Sequence, residues 1–298
     1  MRFDDLPPAL RDWFRTTIRS GAPRESLLDS LTGAGYRPAY AQEALAAAWE
    51  VLAAAPVVAS ELRIVDPAVR LPQDTPGVQA DPAATPNRID VDGHVVELRM
   101  ALSSPRIVLF GNLLSADECE ELIELSRHKL ERSSVVNAAT GDYDVHPYRT
   151  SLGTHFRRGE NPLIARIEGR IGKLLEFPVE HGEPVQILYY RPGAEYRPHF
   201  DYFDPALPGN DKVLAMGGQR VATVVMYLND CEAGGATVFP QLGLEVTPQK
   251  GDAVYFAYVA ADGALDPRSL HGGATVEKGE KWIATKWLRE YEYLGPSA

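Results

Sequence analysis

Residues 186–204 read QILYYRPGAEYRPHFDYFD, a stretch that holds His199 and Asp201 with one residue between them. Side chains alternate along a β-strand, so residues two apart share a face. An imidazole and a carboxylate on one face are two thirds of a facial metal site. The third ligand has to come from elsewhere in the chain, and His271 is the best candidate. Two histidines and one carboxylate leave coordination positions open and suit non-haem Fe(II). Zinc binds the same groups and the Irving–Williams order favours it, so metal availability and the open site have to select iron.

An isolated H-x-D pair is also what a polar strand surface produces by chance. Its surroundings decide. Lys281 follows His271 by ten residues in HGGATVEKGEKWIATKWLRE, and Tyr190 precedes His199 by nine. A cation and a phenol beside a metal are what a small dicarboxylate needs.

The segments YYRPGAEYRPHFDYFD, GGATVFPQLG and HGGATVEKGEKW resemble the prolyl 4-hydroxylases, which are 2-oxoglutarate- and Fe(II)-dependent dioxygenases. The likeness covers residues 105–292. It implies that His199, Asp201 and His271 hold Fe(II), with 2-oxoglutarate and O2 as cosubstrates and ascorbate as reductant. Lys281 matches the family lysine that neutralises the far carboxylate of 2-oxoglutarate; a buried lysine without an anion is costly. Tyr190 and Thr237 match a tyrosine and a threonine near that carboxylate. Thr285, four residues beyond Lys281, shares its strand face and is a further cofactor-binding candidate. Lys286 is an odd number of residues from Lys281 and is expected on the outer face.

The segment RTSLGTHF resembles the family's substrate channel. By that resemblance Arg149, Ser151, Glu183, Arg220 and Trp287 line a peptide groove. The arginines would donate to peptide carbonyls, and Trp287 would pack on a proline ring. Ordinary ion pairs and core packing use the same residue types. Arg289 stands where some members carry histidine, which bears on substrate preference.

The implied activity is hydroxylation of a peptidyl proline, releasing succinate and CO2. One rival is a dioxygenase acting on another residue or a small molecule. Another is a partner-recruiting protein that keeps the fold and the site. Lysine, in place of the arginine common in related DNA-repair dioxygenases, points away from a nucleobase substrate.

The rest of the chain bounds these readings. It has 298 residues and a formal net charge of −11 with no basic stripe, so no nucleic-acid partner is expected. Cys119 and Cys231 are the only cysteines. They make no disulfide framework and suggest a reducing, cytoplasmic setting. The start, MRFDDLPPALRDWF, lacks the apolar core of a signal peptide. No apolar run reaches the length of a membrane span.

Residues 1–54 read as a small all-α unit of three helices, carried by Leu10, Trp13, Phe14 and Ile18, then Leu27, Leu28 and Leu31, then Tyr40, Ala44, Leu45 and Trp49. It is either a docking module for a protein partner or a helical extension of the catalytic part. Residues 55–88, rich in proline and alanine, read as a linker. Residues 89–298 read as the catalytic domain. It opens with a hairpin at 89–102 around an AspGly turn. A helix capped by Ser115 with Glu118 follows, then one over 161–176 with an apolar stripe. From Val185 onward, short strands broken by Gly, Pro and Asp predict an antiparallel sandwich or barrel. The family resemblance narrows this to a double-stranded β-helix, or jelly roll, backed by helices: an α+β fold. The loops 132–148 and 204–219 are candidate lids.

Overall fold

The computed structural model describes residues 2–7, 10–11, 13–14, 24–34, 36–52, 86–136, 143–145, 149–260 and 263–295. The chain divides into two compact units, Met1–Arg63 and Ile64–Ala298. Most of the stretch read as a linker lies outside the described residues, as do His146 and much of the first predicted helix.

In the first unit, α1 spans Arg24–Gly33 and α2 spans Pro38–Leu52. Pro38 opens α2, where its missing N–H costs nothing. Leu10, Phe14, Leu27, Leu31, Ala41, Ala44, Leu45 and Ala48 are buried together with Phe3 and Leu6. The described part of the first predicted helix, Leu10, Arg11, Trp13 and Phe14, is helical. The helical spacing of apolar residues thus marks the residues that form this small core.

The second unit is strand-rich. In chain order the strands are β1 (Arg88–Val91), β2 (His94–Ser103), β3 (Arg106–Gly111), β4 (Glu131–Arg132), β5 (Ser134–Val136) and β6 (Tyr143–Val145). There follow β7 (Leu152–Phe156), β8 (Val185–Tyr190), β9 (Tyr196–His199), β10 (Arg220–Tyr227), β11 (Ala233–Gly234) and β12 (Thr237–Phe239). The last are β13 (Leu244–Val246), β14 (Ala253–Ala257), β15 (His271–Gly273), β16 (Val276–Lys278) and β17 (Lys281–Arg289). Helices α3 (Ala116–Arg127), α4 (Pro162–Leu174) and α5 (Asn210–Leu214) interrupt them.

A nine-stranded sheet runs β1-β2-β3-β14-β10-β17-β8-β7-β4, and a four-stranded sheet runs β13-β12-β15-β9. Every named pairing is antiparallel. This is the double-stranded β-helix, with the predicted hairpin of β1 and β2 added to one edge of the large sheet. Val221, Val225, Tyr227, Phe239, Val254, Phe256 and Ile283 belong to its core. Each large apolar side chain buried there contributes roughly 1.5–3 kcal/mol.

Helices α3 and α4 cover the outer face of the large sheet. Ser115 caps α3 through a reciprocal box with Glu118, and Asn161 accepts from the Ile164 amide to cap α4. Glu118 then binds Arg170 of α4 at 2.7 and 2.9 Å and Arg166 at 2.8 Å. Burial alone would raise its carboxyl, but the guanidiniums hold it down to about 2. Beneath α4 lies Lys286, which does face away from Lys281 but is only 2 % exposed. Its ammonium donates to Glu168 of α4 and to the Glu183 carbonyl. The outer face of β17 is therefore a second interior, where strand parity predicts the side but not the covering helix.

Candidate active site

The site lies where the two sheets face each other. His199 ends β9 and His271 begins β15, and the two are direct cross-strand partners. Gly272 permits this pairing. A Cβ there would stand 2.9 Å from the Tyr196 carbonyl oxygen and 3.0 Å from the Pro198 nitrogen, so any other residue would push β15 off β9. Asp201 lies beyond the end of β9, in a bend. Strand alternation alone therefore does not place it. Two hydroxyls do: Thr223 of β10 donates to Asp201 Oδ2 at 2.7 Å, and Tyr258, just after β14, donates at 3.1 Å. The large sheet thus holds the carboxylate against the histidines of the small one.

The three groups form a single cluster, their ligand atoms all within 4.8 Å of one another. Each imidazole is oriented by its Nδ1, which faces a backbone carbonyl: Arg197 for His199 at 2.9 Å and Ser269 for His271 at 3.0 Å. A carbonyl only accepts, so Nδ1 carries the proton and Nε2 is left with a lone pair. Burial pushes His271 down to about 4, so the ring is neutral near pH 7. Its Nε2 nevertheless faces Asp201 Oδ2 at 3.5 Å, and His199 Nε2 faces Oδ1 at 3.4 Å. Burial works to raise the Asp201 carboxyl, but a proton on the facing His271 or His199 ring, together with the Arg220 guanidinium, holds it well below the usual carboxylate range. Buried lone pairs facing a buried carboxylate call for a cation among them. The donor set fits a divalent metal with positions left open.

A pocket opens beside this cluster, lined in part by Tyr190, Thr237, Lys281 and Thr285. Lys281 begins β17 directly opposite Tyr190, the last residue of β8. Its ammonium lies 5.5 Å from the Tyr190 ring centre and 5.9 Å from that of Tyr227. Lys281 is only 2 % exposed. Burial pushes its amine down to about 8. Among the described residues no carboxylate pairs with it. A buried cation without a counter-ion is expensive, and a ligand carboxylate would remove that cost. Thr237 accepts from the Tyr227 hydroxyl at 2.8 Å, and Thr285 reaches the same pocket wall.

The residues expected in a substrate groove fall into two groups. Arg149 and Trp287 line the pocket. Arg149 donates to Gln186 Oε1 at 2.6 Å and stands 4.9 Å over the Tyr196 ring. Ser151, Glu183 and Arg220 do not line it. Ser151 hydrogen-bonds Tyr190 and donates to Ser133 at 3.0 Å. Arg220 grips Glu183 with two bonds of 2.7 and 2.8 Å, and its guanidinium lies 4.0 Å from the Trp287 ring centre. Arg289 also meets Glu183, at 2.7 Å.

The segment after Asp201 is closed at its base. Gln219 accepts from the Phe203 amide at 2.8 Å and donates to the Phe203 carbonyl at 2.7 Å. Arg289 donates to Gly218 and Val213 carbonyls at 2.7 and 3.1 Å. The Phe203 ring centre lies 4.9 Å from the Arg220 guanidinium and 5.1 Å from that of Arg289. Of the other candidate lid, residues 137–142 and 146–148 lie outside the described residues.

Sequence reading missed Thr223, Tyr258 and Tyr196. Thr223 had a signal: it is the one hydroxyl inside the apolar strand RVATVVMY apart from the terminal tyrosine. Tyr258 acts through a contact 57 residues away, which no local pattern announces. Tyr196 stacks on His199 with ring centres 3.7 Å apart.

Comparison with known proteins agrees with this geometry. The 2OG-Fe(II) oxygenase superfamily matches residues 185–289. Prolyl 4-hydroxylase 1 of Arabidopsis thaliana is 44% identical over 203 residues, covering 63% of this chain and 70% of that protein. Prolyl 4-hydroxylase 5 of the same plant is 41% identical over 208 residues, again 63% of this chain and 70% of that protein. Among solved structures, a viral collagen prolyl hydroxylase from Paramecium bursaria Chlorella virus-1 is similar at 30% identity and a TM-score of 0.49, covering 61% of this chain and 95% of that one.

Proposed function

Because the chain belongs to the prolyl 4-hydroxylases of the 2-oxoglutarate- and Fe(II)-dependent oxygenases, we propose that it hydroxylates a peptidyl proline using His199, Asp201 and His271 to hold Fe(II) and Lys281 to hold 2-oxoglutarate. The observation that carries this reading is the buried ammonium of Lys281, which faces the pocket of the metal cluster and has no carboxylate partner among the described residues. Bound Fe(II), with 2-oxoglutarate and O2, supplies an oxidant that replaces a C–H hydrogen by hydroxyl, while 2-oxoglutarate leaves as succinate and CO2.

The chain's own residues bind, orient and exclude. His199 and His271 present Nε2 because the Arg197 and Ser269 carbonyls, respectively, hold their Nδ1 protons. Thr223 and Tyr258 keep the Asp201 carboxylate aimed at the two histidines. Lys281 neutralises the far carboxylate, and Tyr190, Thr237 and Thr285 complete that end of the pocket. Arg149 and Trp287 stand at the wall where a peptide would lie, while Arg220 and Glu183 brace Trp287 from behind. Holding the target carbon still and keeping water out is what limits wasted turnover.

Finer points belong to the same proposal. Ascorbate as reductant is supported by family likeness alone. Two free cysteines support a reducing compartment such as the cytoplasm. No helix among the described residues is long and apolar enough to cross a membrane. The N-terminal helical unit, with Tyr36 and Val51 exposed, serves in this reading as a docking module for the protein that carries the proline.

The test is mass spectrometry of a lysate from cells lacking this protein, incubated with the full chain, Fe(II) and 2-oxoglutarate beside a His199→Ala control. One oxygen gained on a proline, only with the wild type, is the expected result. An oxygen on another residue type discards the prolyl assignment. Removing residues 1–54 should slow modification of the same target; an unchanged rate ends the docking role.

A further inference from the structure

Arg149 lines the pocket, but the side chains that hold it stand outside. Its guanidinium donates to Gln186 Oε1 at 2.6 Å, and the Gln186 amide nitrogen meets His155 Nε2 at 2.9 Å. The sheet sets up this chain. His155 of β7 and Gln186 of β8 are direct cross-strand partners, and on its other side Gln186 pairs with Thr285 of β17. Directly paired residues project from one face, so the row runs from His155 to the pocket wall at Thr285. Gln186 is 5 % exposed, so water cannot replace either neighbour of its amide.

The direction of every bond in the chain follows from Arg149. A guanidinium only donates. Gln186 must therefore turn Oε1 to Arg149, which leaves its NH2 facing His155. His155 Nε2 must accept, so the ring is neutral and carries its proton on Nδ1. A protonated ring reverses the order. Its Nε2–H claims Oε1, the amide turns over, and two donors then meet at Arg149. His155 is exposed, so solvent protons reach it. Two charged groups bear on its ring. Desolvation and the Arg149 charge hold the imidazole below its ordinary value, against the pull of Glu183. Arg149 stays charged. Burial works to raise Glu183, but Arg220 and Arg289 hold it below the usual carboxylate range. Of the three, His155 alone changes charge in mild acid.

We propose that His155 is a positioning residue for the peptide substrate: through Gln186 it fixes Arg149 at the pocket wall, and it does so only in its neutral form. The proposal rests on the reading that Arg149 meets the peptide. A guanidinium already held in place can take a peptide carbonyl without being ordered first. Once His155 is protonated, that order is lost and peptide binding weakens. The effect falls on the peptide, since 2-oxoglutarate is assigned to Lys281.

The experiment uses the full chain loaded with Mn(II) and 2-oxoglutarate, with a fluorescein-labelled oligoproline peptide as the probe. Anisotropy reads the peptide Kd at about pH 7.5 and about pH 5.5, which bracket the usual histidine value. Wild type should lose roughly tenfold in affinity from the higher pH to the lower. His155→Gln offers an oxygen that accepts from Gln186 at either pH, so it should keep wild-type affinity at the higher pH and lose the pH dependence. His155→Leu has no acceptor and should bind weakly at both. Nitrogen-15 NMR of the histidine rings, with His155→Gln identifying the signal, should place the His155 proton on Nδ1 at the higher pH. The same pH dependence in wild type and His155→Gln, wild-type affinity in His155→Leu, or a proton on Nε2 each overturns the proposal. Wild type that binds 2-oxoglutarate by calorimetry but no oligoproline at either pH overturns the peptide reading of Arg149 and the proposal with it. The ring tautomer, read without any peptide, tells that failure from a failure of the His155 chain.

Discussion

Lys281→Met protein will fail to bind 2-oxoglutarate at concentrations that saturate the wild type, yet without ligand it will be the more stable of the two. The binding loss follows from removing one partner of a buried charge pair. That costs about 3–5 kcal/mol, or on the order of 10²–10⁴ in Kd. The stability gain has the opposite origin. Burial pushes the Lys281 amine from its ordinary 10.5 down to about 8. The unfolded chain therefore binds that proton more tightly than the folded one. The penalty on folding is full below about pH 8 and fades as pH rises toward the ordinary lysine value. Methionine fills the same shape without the charge and should return up to about 3 kcal/mol near neutrality. Thermal melts of ligand-free wild type and variant should differ most near neutral pH and converge at strongly alkaline pH. Calorimetry on Mn(II)-loaded proteins reads the binding arm. A variant that melts below wild type at neutral pH would show that the amine has an anion already. Wild-type affinity for 2-oxoglutarate should likewise fall above pH 8 as the ammonium loses its proton.

Asp201→Asn should abolish tight metal binding while leaving the fold intact. Asparagine keeps the shape and an oxygen for the Thr223 and Tyr258 hydroxyls, both of which now meet Asp201 Oδ2. It removes the only anion among the three clustered donors. Residues that merely support a ligand cost 10–100-fold in metal affinity, so loss of the charged ligand should exceed about 100-fold. The fold survives because Arg220, the nearby guanidinium, keeps its paired bonds to Glu183. Mn(II) titration followed by electron paramagnetic resonance measures the first effect, and a melting curve the second. Affinity within about tenfold of wild type would mean that Asp201 supports the site without ligating.

The parts of this site that local sequence discloses are those fixed by short-range rules. Ser115 with Glu118 announced one helix because capping is a matter of three residues, and the apolar stripe over 161–176 announced the next. His199, His271 and Lys281 were legible through their spacing within strands and through family likeness. Asp201 was legible as a residue type but not by the stated geometry, since β9 ends before it and the large sheet positions it. Lys286 shows the same limit from the other side. Parity predicts its face, but whether that face meets water depends on α4, which arrives from more than a hundred residues earlier. Glu183 and Arg220 read as groove residues through family likeness, and nothing local shows that they first satisfy each other. Arg289 is the clearest case: a departure from the family at one position becomes intelligible once its bonds to Glu183, Gly218 and Val213 are seen.

The clasp between Gln219 and Phe203 fixes the two ends of residues 204–218 to each other by a reciprocal amide pair, and Arg289 ties the Val213 and Gly218 carbonyls of the second half to β17. What the barrel does not grip is the exposed run 204–208 that precedes α5. Lengthening a loop of fixed ends is cheap, each doubling costing only about 0.6 kcal/mol. Evolution or an engineer can therefore exchange that short run for one of another length and chemistry while the metal cluster stays put. The rim of the pocket is free to drift with its target, and the machinery that carries out the oxidation is not.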